Sequence, residues 1–300
     1  MISITISDLL TIIFVLVDDW CQVYGSKLLA GKAGKKPVFR DSEVITLVLA
    51  QDFIPYPAEA QYLEFIRANY LSLFPKLVDQ SQFNRRARAL RLLVEELRRY
   101  WIVQKGWHWQ TNYLLDTKPV PVLGYKRYKN HSAFAGQADY GQCVSRNLNY
   151  FGYKLVVLST LEGLPIVYEL VPANLDERLA AEAVIDYLGH CHIFADKGFL
   201  GAEWQSAMFD QTQNRIWMPK RKNQIVQNSK ALDRWLSAIR ERIEGVFHEI
   251  QNTGRNLERL LAKTVSGLCA RVIAKMTSHL LRRLLLIDFN VNVQTFHSTF

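Results

Sequence analysis

The chain has 300 residues, 49% of them hydrophobic and 22% charged, with a formal net charge of +9. That length and apolar content suit a globular chain of one large or two modest domains, and the positive balance points to an anionic partner, nucleic acid above all. Four scattered cysteines (Cys21, Cys143, Cys191, Cys269), none in a CxxC pair, argue against zinc and a disulfide framework and suit a reducing compartment.

In chain order, the first hundred residues read as helical. Leu9 to Val17 is apolar, but nine residues cannot span a bilayer and no basic segment precedes them, so Ile2 to Val23 is predicted as a buried helix and no membrane association is expected. Asp41-Ser42-Glu43 predicts a helix start. Pro55 and Pro57 end that helix, and another runs from about Glu59 to Leu73. Ser81 is predicted to cap one long helix reaching Gln104, with Leu90, Leu93, Val94 and Leu97 as its apolar stripe and Arg85, Arg86 and Arg88 as a basic DNA-binding face. Two helices joined across Pro75 to Gln80 suit a helix-turn-helix-like reader; a bundle with a solvated basic face is the alternative.

From Trp107 the pattern changes to strands: Asn112 to Val122, Tyr153 to Thr160 and Pro165 to Val171, the last two joined by a tight turn at Glu162-Gly163. A helix follows from Leu175 to Leu188, with Leu175, Leu179, Ala183 and Tyr187 on one face. Short strands at His192–Ala195 and Ile216–Met218 come next, then helices at Ser229–Ile250 and Val265–Leu286. The expected fold class is α/β, a mixed sheet flanked by helices, preceded by an all-helical region. The predicted boundaries are 1–106 for the helical region, 107–288 for the sheet-bearing domain and 289–300 for a tail.

Three acids stand out. Asp116 interrupts the apolar run of the first strand, and Asp196 closes the short strand ending in Ala195. An unpaired charge in such surroundings is costly, so each needs an explanation. On the helix that follows, residues advance about 100° each. Ile239, Ile243, Val246 and Ile250 therefore share the core face, Glu244 borders it, Glu241 points to solvent and Glu249 lies at the opposite edge. A ligand must sit beside the core yet reach a cleft, which selects Glu244. Phosphodiester chemistry requires charge neutralisation on attacking and leaving oxygens, which two divalent ions roughly 3.5–4 Å apart provide. Mg2+ prefers carboxylate oxygens, so a few acids converging from rigid elements would serve. Singly, each acid also reads as a turn residue or a solvated helical pair; the ordered set carries the functional reading.

These residues resemble a known family. Leu115-Asp116-Thr117, Gly152-Tyr153-Lys154-Leu155, Gly163-Leu164-Pro165, Pro172-Ala173-Asn174, Ala195-Asp196-Lys197-Gly198-Phe199, Pro219-Lys220-Arg221-Lys222-Asn223 and Arg240-x-x-x-Glu244-x-x-Phe247 are similar, in that order, to the DDE-type transposases of small bacterial insertion sequences. The resemblance covers roughly residues 110–285. It implies a ribonuclease-H-like catalytic fold, with Asp116, Asp196 and Glu244 as catalytic residues and ligands of two Mg2+ ions, Mn2+ able to substitute. It further implies DNA as partner, both element ends and target, a homodimer, and a bacterial cytoplasmic location at the nucleoid. Many relatives place a tyrosine three residues before the arginine at 240 and a lysine seven after the glutamate; this chain has Ser237 and Gln251.

Basic side chains complete the expectation. Lys197, Arg215, Lys220, Arg221 and Lys222 suit a phosphate track beside the second acid, with Arg240 one helical turn before Glu244. Lys126, Arg127, Tyr128, Lys129 and His131 suit DNA near the first strand, Tyr128 by stacking. His190 and His192 flank Cys191, and strand-face packing explains them better than zinc. No glycine-rich phosphate loop is present. The function expected is cutting of element ends and transfer of the 3′-OH to target DNA; a catalytically inactive, host-adopted DNA-binding protein and a plain metal-dependent nuclease on the same fold are the alternatives.

Overall fold

The computed structural model describes residues 4–25, 28, 37–56, 58–125, 130–143, 147–220 and 228–293. In chain order its helices and strands are α1 (Ile6–Trp20), α2 (Asp41–Ala50), α3 (Glu59–Tyr70), α4 (Gln80–Ala89), α5 (Arg91–Gln104), β1 (Asn112–Leu123), β2 (Asp139–Cys143), β3 (Leu148–Thr160), β4 (Pro165–Pro172), α6 (Glu177–Ile185), β5 (His192–Ala195), α7 (Ala202–Thr212), β6 (Arg215–Trp217), α8 (Lys230–Asn252) and α9 (Val265–Phe289). The chain divides into two compact units, one made of Met1–Trp101 with Asn252–Phe300 and the other of Ile102–Gln251.

The first unit is helical. Thr5 caps α1 by accepting the Asp8 N–H at 3.1 Å, and Leu9, Leu10, Ile13 and Val17 are fully buried at helical spacing. In α2 every residue from Val44 to Ala50 is buried, so this short helix forms the centre of the unit. Its start is Arg40, whose N–H donates to the Glu43 carboxylate at 2.6 Å. The helix expected from Ser81 to Gln104 is two. Asp79, not Ser81, is the cap, accepting the Gln82 N–H at 2.9 Å, and Leu90 steps out of helical geometry at φ −88°, ψ 0°. The Arg91 guanidinium donates to the Arg88 carbonyl at 2.9 Å beside the break, while Leu90 itself is buried.

The second unit is built on a six-stranded mixed sheet with β2-β3-β1-β5-β6 in sequence across it and β4 also on β3. β3 pairs antiparallel with β1 along one edge; its other edge is shared, Leu148 to Gly152 with β2 and Tyr153 to Ser159 with β4. β5 and β6 add in parallel on the far side of β1. Helices flank this sheet, and the fold is ribonuclease-H-like. Gly152 is required where β3 crosses β1, since a Cβ there would lie 2.2 Å from the Val120 carbonyl oxygen. The β3–β4 turn uses Gly163 at φ 89°, as the Glu162-Gly163 pair predicts.

In α6 the start and the buried face differ from expectation. Asp176 is the cap, its carboxylate accepting the Arg178 N–H at 2.9 Å. The core face is Ala180, Ala181, Val184 and Ile185, whereas Leu179 and Tyr187 are 53% and 64% exposed. Small alanines let the helix approach the sheet closely, a gain the apolar spacing of larger residues hides. In α8 Ile243, Val246 and Ile250 are buried and Glu241 is exposed, as expected; Ile239 is only half-buried, and Glu244, expected at the border of the core face, is exposed.

Candidate active site

β1 and β5 run parallel with Leu115 beside Ala195. β5 stops there, while β1 continues along β3 to Leu123. Asp116 therefore sits mid-strand at the point where β5 leaves β1, and Asp196 emerges next to it as the first residue beyond β5. Side chains at the carboxyl ends of parallel strands face the crevice in which such sheets act.

Asp116 has a side chain only 20% exposed. Burial pushes its carboxyl above the ordinary carboxylate range, against the pull of Lys118 and the Thr117 N–H, and the neighbouring charge of Asp196 pushes the same way as burial. Lys118 lies two residues on, hence on the same strand face, with its ammonium 3.2 Å from Asp116 Oδ2. The same ammonium stands 5.4 Å from the centre of the Phe247 ring, which links α8 to β1 at the acid.

Asp196 accepts the Lys197 N–H at 2.7 Å and so starts the single turn Lys197–Phe199. Arg240 reaches from α8 to both remaining acids: Nη1 is 3.9 Å from Asp196 Oδ1 and Nε is 3.1 Å from Glu244 Oε1. One guanidinium thus spans Asp196 and Glu244. Among the described residues, no group of three His, Cys, Asp or Glu side chains is gathered tightly enough to hold a metal ion. The donor chemistry nevertheless suits a hard divalent cation, being oxygen alone, with Lys118 and Arg240 as the present counter-charges.

A fourth acid, Glu177, joins this neighbourhood. It opens α6, and burial raises its pKa, with Lys154 opposing and Asp116 and Asp196 adding to the rise. A Cβ on Gly198 would fall 2.3 Å from Glu177 Oε2, so the glycine in Asp196-Lys197-Gly198 makes room for that carboxylate. Lys154 is held by the Leu175 carbonyl at 2.6 Å. The available signal was Asp176-Glu177, one residue beyond Pro172-Ala173-Asn174, which reads locally as nothing more than a helix start.

The other expected residues fall in several places. Lys197 and Lys220 are half-buried, at the ends of the turn after β5 and of the stretch after β6. Arg215 packs 5.7 Å from the Phe209 ring. Arg221, Lys222, Lys126 and Arg127, with Tyr128 and Lys129, lie outside the described residues. In the helical unit Arg85 is exposed, Arg86 is tied to Asp41 at 2.7 Å, and Arg88 is half-buried. His192 Nδ1 accepts the Trp217 indole N–H at 2.9 Å, the strand-face packing expected for it.

Among the described residues no helix is long and apolar enough to cross a membrane. Searches of the curated proteins and of the solved structures returned no match. A family model described as a transposase DDE domain matches residues 108–288, more than half of the chain. That span takes in β1 with Asp116, the Asp196 turn and the whole of α8, and the chain belongs to the DDE-type transposases.

Proposed function

We propose that the protein cuts the ends of a mobile DNA element and transfers the freed 3′-OH to target DNA, with Asp116, Asp196 and Glu244 as the residues that hold two Mg2+ ions, or Mn2+ in their place. The observation that carries this reading is the parallel register that sets Asp116 and Asp196 side by side. When bound, divalent ions supply charge neutralisation on the attacking and leaving oxygens. The chain's own residues supply the rest. Asp116 and Asp196, now facing the Lys118 ammonium and the Arg240 guanidinium, would be the carboxylates that hold the cation. Arg240, freed from Glu244, turns to a phosphate oxygen, where a guanidinium binds two oxygens at once. Lys197, Lys220, Arg221 and Lys222 follow the DNA backbone, as do Lys126 and Arg127. Residues 1–106 act as the DNA-binding and dimerisation region, with Arg85, Arg86 and Arg88 facing DNA, residues 107–288 as the catalytic domain and 289–300 as a tail. Two copies pair the two ends, at the bacterial nucleoid.

The test is Mg2+-dependent nicking of a duplex carrying the element's ends. Asp116→Asn and chelation should each abolish it, and cleavage by Asp116→Asn at the parent rate would overturn the assignment. A DNA-binding protein that no longer cleaves is the second reading, favoured by the Arg240–Glu244 pair and by Ser237 and Gln251. Tight binding without cleavage in both Mg2+ and Mn2+ would select it. A plain nuclease would cut without joining the 3′ end to a second DNA.

A further inference from the structure

The helical unit contains a charged site that the catalytic chemistry does not use. After α8 the chain turns at Gly254, φ +73°, and lays Arg255 beside the end of α2. The Arg255 N–H donates to Asp52 Oδ1 at 3.1 Å, and its Nη1 donates to Gln51 Oε1 at 3.0 Å. Nε and Nη2 are buried and have no hydrogen-bond partner among the described residues, and the same holds for Nε of Arg88. Nε and Nη2 form the edge of a guanidinium that grips two oxygens of a phosphate or carboxylate. Leaving such donors unpaired inside a protein is costly, and an entering anion would relieve that cost.

Arg255 also lines two cavities. One is small and shared with Arg88 and Arg271; the other is open, about 650 Å³, and shared with Arg259, Arg271, Tyr56 and Gln80. Among the described residues the lone acid lining either is Glu59, whose carboxylate is already engaged by Gln80 at 2.7 Å and Asn84 at 3.0 Å. Four arginines therefore line the two cavities, Arg255 and Arg271 shared by both, and the acids near them, Glu59 and Asp52, are already engaged. Burial pushes the guanidinium pKa of Arg255 and of Arg271 down, against the pull of Asp52 and Glu59 at Arg255 and of Glu59 at Arg271, where Arg255 and Arg88 add to the fall.

We propose that this cavity binds one backbone phosphate of DNA, with Arg255 as the two-pronged anchor and Arg259 and Arg271 flanking it. The assignment rests on the DNA-binding reading above and adds a contact made by the segment after α8, outside the basic stretches of the catalytic domain. An arginine fork meets a phosphate without reading a base, so the contact positions the duplex and carries no sequence preference.

The experiment measures binding of the full chain to a short duplex by fluorescence anisotropy over a salt series, in chelator so that cleavage does not intervene. Arg255→Gln, and Arg259→Gln at an exposed position that the fold does not need, are compared with the parent. Each variant should weaken binding about tenfold, equally for unrelated duplexes, and reduce the salt slope by about one. Thermal unfolding shows whether Arg255→Gln still folds, and Arg259→Gln decides the matter if it does not. Parental affinity and slope in the folded variants would overturn the pocket and leave the DNA-binding reading standing. Failure of the parent to bind DNA would overturn both. Thermal stabilisation of the parent by inorganic phosphate that vanishes in Arg255→Gln, with DNA affinity unchanged, would mark a small-anion site and overturn the DNA assignment.

Discussion

Asp52→Asn removes one charge from the middle of the helical unit and little else. Asp52 and Lys275 are 0% and 1% exposed and 3.1 Å apart; Arg282 is 3.7 Å from the other carboxylate oxygen. Asparagine keeps the shape and the acceptor for the Arg255 N–H, so the chief loss is the counter-charge to Lys275, whose remaining partner is the Thr253 carbonyl. Breaking a buried pair from one side costs about 3–5 kcal/mol. The ammonium has a way out, because it can shed its proton. From an ordinary pKa of 10.5 that escape costs about 5 kcal/mol at pH 7, so the loss there should be about 3–5 kcal/mol. Burial already lowers the Lys275 pKa, and losing Asp52 lowers it further. A base with a depressed folded pKa holds fewer protons folded than unfolded, so stability rises with pH up to the unfolded value. At pH 9 the escape costs only about 2 kcal/mol, and the variant should recover correspondingly in urea midpoint. Adding Lys275→Met should restore most of the loss at both pH values. A loss below about 1 kcal/mol, or one independent of pH, would show that the pair is not a charged one and refute the reasoning.

Other outcomes follow from the catalytic unit. Asp116 has a raised pKa, so its charge destabilises the folded chain as pH rises from the ordinary carboxylate range through the raised one. Asp116→Asn should therefore be more stable than the parent at neutral pH. The gap should close on acidification with a slope no steeper than about 1.4 kcal/mol per pH unit, followed by thermal unfolding; a destabilised variant at pH 7 would contradict the burial argument. Gly198→Ala sets a methyl against the tip of Glu177, which can rotate away, so the fold should lose no more than about 1 kcal/mol. Cleavage should fall about tenfold, as should that of Glu177→Gln, and the double variant should be no worse than either; multiplied effects would show that the two residues act separately.

Much of this was legible in the sequence where a periodic pattern meets a single core. The apolar runs around Leu114 and Phe194 marked two strands and therefore where their acids emerge, and the phase of Ile243, Val246 and Ile250 put Glu244 at the border of the core face, where the fold leaves it more exposed than that border position implies. Legibility failed where tertiary contacts outvote local pattern. β2, Asp139–Cys143, alternates half-buried and exposed residues and owes its existence to the free end of β3. The break at Leu90 has no proline or glycine to announce it, because a buried leucine and an arginine reaching back to a carbonyl produce it. Glu177 looks like any acid in the first turn of a helix until Gly198 and Lys154 are seen beside it. The Arg240 bridge was half legible: its spacing to Glu244 gives the helical pair, but nothing in that spacing gives the contact with Asp196.

The order of the two units along the chain has a consequence for how the protein is made. Residues 102–251 form a contiguous unit, whereas the helical unit is split around them. Its central ion pair joins positions 223 residues apart. During synthesis the sheet-bearing unit can close as soon as its own residues have left the ribosome, but α1 to α4 must wait for α9, which is made after that unit. Closing so long a loop carries its entropic cost before any reward. A nascent chain therefore presents unfinished helices, with the apolar faces of α1 and α2 uncovered, until α9 has been made. The binding surface of the helical unit, the arginine cavity included, comes into being only after the sheet-bearing unit has already left the ribosome.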